Sequence, residues 1–315
     1  MNPATANRDP RWGYVYIVLA AVLWGVSGSA AKFLFHSGIG PFELTQLRLT
    51  LAAVLLFAWL LLRNPSRLRI ARRDIGYFAL FGALGIAGCQ STYLLAISRI
   101  QVAAAILLQY LAPIFIALHA VVFARDRLSP VTLTAMIGAL AGCYLVVGAY
   151  TIELLQMNRV GIAAGVLSAV TFAWYSIQGE YGMRRYDPWT VLFYALFFAM
   201  LTLNIVHPPL RAFLHDYTAL QWGWILYIGI AGTLAPFGLY LYGVNFIRST
   251  RASITATLEP IVAAVVSYAF LNEVLTPLQI FGGALVIGAV ILLQLKQERD
   301  EKAPEVMRAR RENLD

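Results

Sequence analysis

The sequence predicts an all-α integral membrane protein, with ten transmembrane helices arranged as two inverted-topology five-helix repeats. Low charge, regularly spaced apolar stretches and a long internal repeat carry that prediction. The chain is 60% hydrophobic and only 13% charged over 315 residues, where soluble domains average about 25% charged. Stretches of roughly 20 apolar residues can each cross a hydrocarbon core of about 30 Å as a helix. Residues 93–130 also align without a gap on 240–277, with 11 identities in 38 positions, so the two halves share one plan. Pro113 and Pro130 fall on Pro260 and Pro277, Tyr93 on Tyr240, Leu111 on Leu258 and Ile114 on Ile261.

Basic residues punctuate the ten stretches in order. The first, 13–35, follows Arg8 and Arg11 and contains Lys32. It exceeds the roughly 7–15 apolar residues of a cleaved signal peptide. The second, 42–62, and the third, 75–97, flank Arg63, Arg67, Arg69, Arg72 and Arg73. Arg99 precedes the fourth, 101–123, and Arg125 and Arg127 lead into the fifth, 130–149. Arg159 opens the sixth, 160–182, and Arg184 and Arg185 separate it from the seventh, 188–206. Arg211 precedes the eighth, 221–247, while Arg248 and Arg251 mark its junction with the ninth, 250–271. The tenth, 277–296, runs into a mixed-charge tail.

With the N-terminus placed in the cytoplasm, 19 of the 24 basic residues fall on that side. The positive-inside rule therefore predicts two cytoplasmic termini. The pI of about 9.6 is accounted for by topology, without a nucleic-acid surface. Five spans per half turn the second half upside down, the plan of many secondary transporters. The organisation expected is a first repeat over 1–150, a second over 151–296, and a charged cytoplasmic tail over 297–315, solvated or frayed. Cys89 and Cys143 fall inside predicted helices and read as small packing residues.

Trp24-Gly25, Lys32, Pro41 and Arg48 in the first two stretches are followed by Leu-Ala-Pro113 and Asp126-Arg127-Leu128-Ser129-Pro130. The second half answers with Leu258-Glu259-Pro260 and Asn272-Glu273-Val274-Leu275-Thr276-Pro277. In order, spacing and duplication this pattern resembles the drug/metabolite transporter superfamily, and within it the EamA-type permeases. Arg125-Asp126 and Asn272-Glu273 depart from the Gly-Glu pair frequent in such families. The resemblance covers about 13–296 and implies ten helices, a bacterial inner-membrane location, and export or exchange of small metabolites, often amino acids.

Glu259 is the strongest single site candidate. It lies eight residues after Arg251, hence about 12 Å into the bilayer. An unpaired charge there costs about 2.5–3.5 kcal/mol or more. It either faces a cavity, binding an ammonium group or carrying a proton, or it bonds backbone freed around Pro260. Pro113 and Pro260 remove one backbone donor each and are expected to kink their helices, as hinges or for packing alone. Lys32 and Arg48 read as an outer cationic gate. Otherwise Lys32 snorkels to the headgroups, and Arg48 pairs with Glu43 or helix carbonyls.

A polar and aromatic set recurs at mid-depth: Trp24, Gln90, Tyr93, Gln109, Tyr110, Trp174, Gln178, Tyr240 and Thr255. Gln90 with Tyr93, and Trp174 with Gln178, share a helix face by their spacing. Such groups line a wet cavity or bond between helices. Gly138/Gly142 and Gly161/Gly165 offer close helix approach, inside a monomer or at a dimer contact. His119 has no second ligand at metal spacing. No metal, cofactor or nucleophile–base pattern is expected, and the partners expected are the lipid bilayer and a small-molecule substrate. The function expected is secondary transport by alternating access at a mid-membrane cavity. The alternative class is a membrane enzyme or scaffold acting on a lipid-linked substrate.

Overall fold

The structure, a computed structural model, describes residues 9–151, 158–206, 208, 210–271, 275–295 and 300–312. Among these residues there is helix and no strand. The elements are α1 Arg11–His36, α2 Pro41–Arg63, α3 Ile75–Leu80, α4 Gly88–Arg99, α5 Val102–Gln109, α6 Ala112–Val122 and α7 Pro130–Val146. After them come α8 Arg159–Met183, α9 Pro188–Val206, α10 Ala219–Gly229, α11 Ala235–Ala256, α12 Glu259–Leu271, α13 Pro277–Leu295 and α14 Pro304–Glu312. Among the described residues seven continuous helical segments are long and apolar enough to cross a membrane, and Arg11–Ser27 and Pro130–Val146 are shorter apolar helices. Large apolar side chains on the outer surface, such as Leu19, Leu118, Leu167 and Ile280, are exposed. In a multi-pass membrane protein that surface meets lipid.

The helix breaks recur at the repeat spacing. A π-helical stretch, Phe81–Ala87, joins α3 to α4, and another, Ile230–Leu234, joins α10 to α11. Only the second precedes a proline, Pro236, so proline does not cause them; each contains a glycine at an aligned place, Gly85 with Gly232, while Gly82 aligns with Gly229 at the end of α10. Chain direction next changes at Ile100–Gln101 in one half and at Arg248 in the other, whose φ of 63° and ψ of 165° interrupt α11. The third break falls at Tyr110–Leu111 and at Thr257–Leu258. Pro113 and Pro260 lie just beyond it, each in the first turn of the following helix, where a missing N–H costs nothing.

Packing between the halves is paired in the same manner. Helix α1 lies along α11 as α4 lies along α8, and α7 lies along α13. Glycine sets the α7–α13 distance: a Cβ on Gly142 would come 2.6 Å from the Gly282 carbonyl, and one on Gly282 would come 2.7 Å from the Gly142 carbonyl. Gly161 and Gly165 of α8 pack inside the same chain, on Ile100 and Leu108. Gly25 likewise lets α1 touch α12, since a Cβ there would meet Val262 at 2.8 Å.

The tail departs from the expectation of a solvated or frayed end. Its residues 304–312 form α14, which packs on α8 and α11. Arg308 donates to the Met183 carbonyl at 2.6 Å and to Asn245 Oδ1 at 3.2 Å. Ala303 is buried. The tail reads as solvated because its anchors lie far away in sequence and leave no apolar periodicity of their own. Asn272-Glu273-Val274 lies outside the described residues.

Candidate functional site

A cavity of about 300 Å³ lies where the aligned breaks of the two halves meet. Trp24, Gln90, Tyr93, Gln109, Tyr110 and Glu259 line it together with Arg48, Pro113 and Pro260. The chain reaches this arrangement because α5 stops at Gln109 and α11 stops at Ala256, interrupting the helical ladder beside the cavity. Tyr110, which caps α5, sends its hydroxyl to Glu259 Oε2 at 2.7 Å, with the Ala256 carbonyl a second acceptor at 3.1 Å. Glu259 opens α12, where a negative charge also meets the positive end of the helix dipole. Gln109, also on the wall, donates to the Cys89 sulfur at 3.4 Å.

Arg48 is the second charge of the cavity and is held by the π-helical stretch of the other half. Its Nε donates to Thr233 Oγ1 at 2.7 Å and its Nη2 to the Gly232 carbonyl at 2.8 Å. Thr233 in turn donates to the Ile228 carbonyl at 2.9 Å. Widening α-helix to π-helix frees carbonyls from the usual ladder, and Arg48 satisfies one of them. Among the described residues Arg48 has no carboxylate within ion-pair distance, and neither has Glu259 a cation. Glu43, offered above as a partner for Arg48, instead meets His215 Nε2 at 2.7 Å.

Four of the sequence candidates stand outside the cavity wall. Tyr240 is fully buried, bonded to Ser176 at 2.8 Å and packed against Trp24 and Phe172, so it backs the wall without lining it. Thr255 is buried and returns its hydroxyl to the Arg251 carbonyl at 2.8 Å. Trp174 and Gln178 share a face of α8 that does not reach the cavity. The pairing of Lys32 with Arg48 as an outer gate is not what the geometry gives for Arg48, which is drawn into the bundle by Gly232 and Thr233. The Lys32 side chain lies outside the described residues. His119 packs between Phe123 and Tyr181.

Sequence reasoning missed Phe172, Ser253 and Gln279 on the wall, and it missed the ionic cluster at the arginine-rich end. Arg248 donates to Asp126 Oδ2 at 2.6 Å, to Glu180 Oε1 at 2.9 Å and to Asp300 Oδ2 at 3.4 Å. Lys302 also pairs with Asp126. Glu180 was the available signal, being the sole acid in the apolar stretch 160–182. Burial pushes the Asp126 carboxyl up, but the hydrogen bonds from Lys302 and Arg248 outweigh it and hold the group below its ordinary range.

A bundle of helices long and apolar enough to cross a membrane, broken at aligned places around a cavity that among the described residues holds one cation and one anion, is the build of a polytopic membrane protein. Residues 11–148 and again 159–295 match the EamA-like transporter family, and the chain belongs to it. It is 31% identical over 287 residues to an "Uncharacterized transporter" of Archaeoglobus fulgidus, across 90% of this chain and 97% of that one. Similarity to the "Uncharacterized inner membrane transporter YicL" of Salmonella typhimurium is 29% over 299 residues, covering 93% and 98%. The threonine/homoserine exporter RhtA of Escherichia coli is 25% identical over 306 residues, covering 96% and 99%. One solved crystal structure superposes with a TM-score of 0.74 at 21% identity, covering 92% of this chain and all of that one. The family and these relatives point to a small-molecule transporter rather than an enzyme.

Proposed function

We propose that the protein is a secondary transporter, in the bacterial inner membrane, that exports or exchanges small zwitterionic metabolites such as amino acids. The observation that carries this reading is one cavity holding Arg48 and Glu259, each bonded to neutral groups and neither neutralised by the other's kind. Lipid stabilises neither charge, so a solute that brings a carboxylate to Arg48 and an ammonium to Glu259 completes both. Arg48 is suited to the carboxylate because Thr233 and Gly232 fix its planar fork, and among the described residues its Nη1 has no protein acceptor. Tyr110 orients the Glu259 carboxylate, while Trp24, Tyr93 and Phe172 supply the apolar wall.

Ten spans in two inverted repeats give this site its mechanism. The shared breaks at Tyr110–Leu111 and Thr257–Leu258 let either half rock about the same cavity, with Pro113 and Pro260 as paired hinges. Both termini lie in the cytoplasm on this reading, so the cavity mouth near Phe35, Ile97 and Val147 faces outward. RhtA, whose name records threonine and homoserine export, supports the amino-acid choice at a distance. Counterflow of labelled amino acids into proteoliposomes, run beside sugars and simple amines, tests the reading. Accumulation of at least one zwitterion, weakened about ten-fold or more in Glu259→Gln and in Arg48→Gln, is expected. Equal counterflow of sugars, or none for any zwitterion, overturns it.

A further inference from the structure

We propose that the C-terminal segment, residues 300–312, is a latch that holds the arginine-rich end of the bundle shut and so sets the resting conformation. The cavity wall extends to helix ends at one side of the bundle, through Phe35, Ile97, Ala103, Val147, Leu275 and Gln279. Among the described residues no wall residue comes from the turns at the other side. There the break in α11 is plugged by Arg248, which reaches the α6–α7 turn through Asp126 and α8 through Glu180.

Two strained positions mark this closure. Arg248 has φ 63° and Arg125, beside Asp126, has φ 52°. Non-glycine residues leave that region readily unless contacts hold them. Glu180 supplies one such contact by capping the helix that restarts after Arg248, since Ser249 donates both its N–H, at 2.9 Å, and its hydroxyl, at 2.6 Å, to Oε2. The tail supplies the others. Asp300 takes the Nη1 of Arg248, Lys302 takes the second oxygen of Asp126, and Arg308 ties α14 to the end of α8 at Met183 and Tyr186.

The latch is built on one half only. The position aligned with Arg248 in the first repeat is Gln101, and that aligned with Glu180 is Phe33. Neither can reproduce an ion cluster at the other end, so the duplicated bundle is biased toward closure on the tail side. Asp300 and Lys302 bridge a partly exposed pair across α6–α7 and α11, and they leave with the tail. Releasing it removes the bridge and leaves Arg248 held by Glu180 and Asp126 alone, beside the strained Arg125. The inference goes beyond the transport reading, because it predicts a shift of conformation whatever the solute.

Ser253 reports on that shift. It lines the cavity and lies five residues past Arg248. In full-length protein carrying Cys89→Ala, Cys143→Ala and Ser253→Cys, a membrane-impermeant maleimide is added from either face of oriented vesicles. The intact tail should keep the new thiol slow from the latch side. Deleting residues 300–315 should raise that rate about ten-fold, the change expected when a minor state becomes common, and should lower the rate from the opposite side. Lys302→Gln with Arg308→Gln serves if the deletion aggregates in detergent, and should act in the same direction. Unchanged rates in a well-folded variant overturn the latch. A rise from both sides at once also overturns it, since that is a loosened fold and not a change of facing.

Discussion

The Tyr110 hydroxyl meets Glu259 at 2.7 Å across the two halves of the molecule. Tyr110 stands at the break of the first repeat, aligned with Thr257, and Glu259 stands two residues past the break of the second. One hydrogen bond therefore joins the two helix breaks directly at the cavity. Any movement of one half against the other must lengthen it, or carry both groups together. Charge-assisted bonds of this kind contribute about 1.5–3 kcal/mol, enough for a bound ammonium group that competes for Glu259 to bias the halves.

On the proposed reading of two inverted five-span halves with basic residues inside, both termini are cytoplasmic and the 150–160 connection is external. Cysteines placed at residue 2 and at Asn158 should react with impermeant reagents from opposite faces. Same-side reaction contradicts the inverted arrangement.

Arg48→Lys should fail to substitute for arginine. Lysine keeps the charge but cannot bond Thr233 and Gly232 while presenting a free edge to a carboxylate. Counterflow affinity should fall about ten-fold, the equivalent of one charged hydrogen bond, with the detergent melting temperature little changed. Wild-type affinity in Arg48→Lys contradicts the carboxylate role.

Pro113→Ala and Pro260→Ala should impair turnover more than folding. Both prolines occupy the first turn of a helix, where alanine is tolerated. Yet alanine restores a donor that can draw the break back into a continuous helix. Turnover roughly ten-fold lower in either variant is expected, at near-normal yield and thermal stability. Normal transport in both contradicts the hinge role.

Asp126 makes the latch side resistant to acid. Its carboxyl is held below the ordinary value of 3.8, so the charged form is the one the fold favours. The stability it contributes is complete above that ordinary value and is lost as pH falls through the lower folded one. Melting temperatures of the wild type and Asp126→Asn should differ by a constant amount from neutral pH down to about 4 and converge below it. A gap that closes between pH 7 and 5 contradicts this.

Much of this arrangement is legible in the sequence, and the limits have physical causes. The 147-residue offset pairs Pro113 with Pro260 and so points to equivalent interruptions in the two halves, but as kinks at the prolines, whereas the helices end before them at Tyr110–Leu111 and Thr257–Leu258. Depth from the nearest arginine puts Glu259 at the level of the cavity. Depth does not fix which face a side chain occupies, so Tyr240 was grouped with Tyr93 although it packs behind Trp24. The π-helical stretches shift helical phase without a periodicity of their own, which hides the Arg48–Gly232 bond. Contacts such as Arg248 with Glu180, or Arg308 with Met183, join residues far apart in sequence, and no single strand of pattern records them.

The most direct test of the central claim pairs ligand charge with cavity charge. The amino acid with the strongest counterflow is compared with the hydroxy acid in which hydroxyl replaces its ammonium group and the amino alcohol in which hydroxymethyl replaces its carboxylate, in wild type, Glu259→Gln and Arg48→Gln. The two-charge account predicts that Glu259→Gln weakens the amino acid and the amino alcohol about ten-fold or more while sparing the hydroxy acid, and that Arg48→Gln spares only the amino alcohol. Equal weakening of all three ligands in both variants would contradict it, because the two residues would then be shaping the cavity and not reading the charges of its solute.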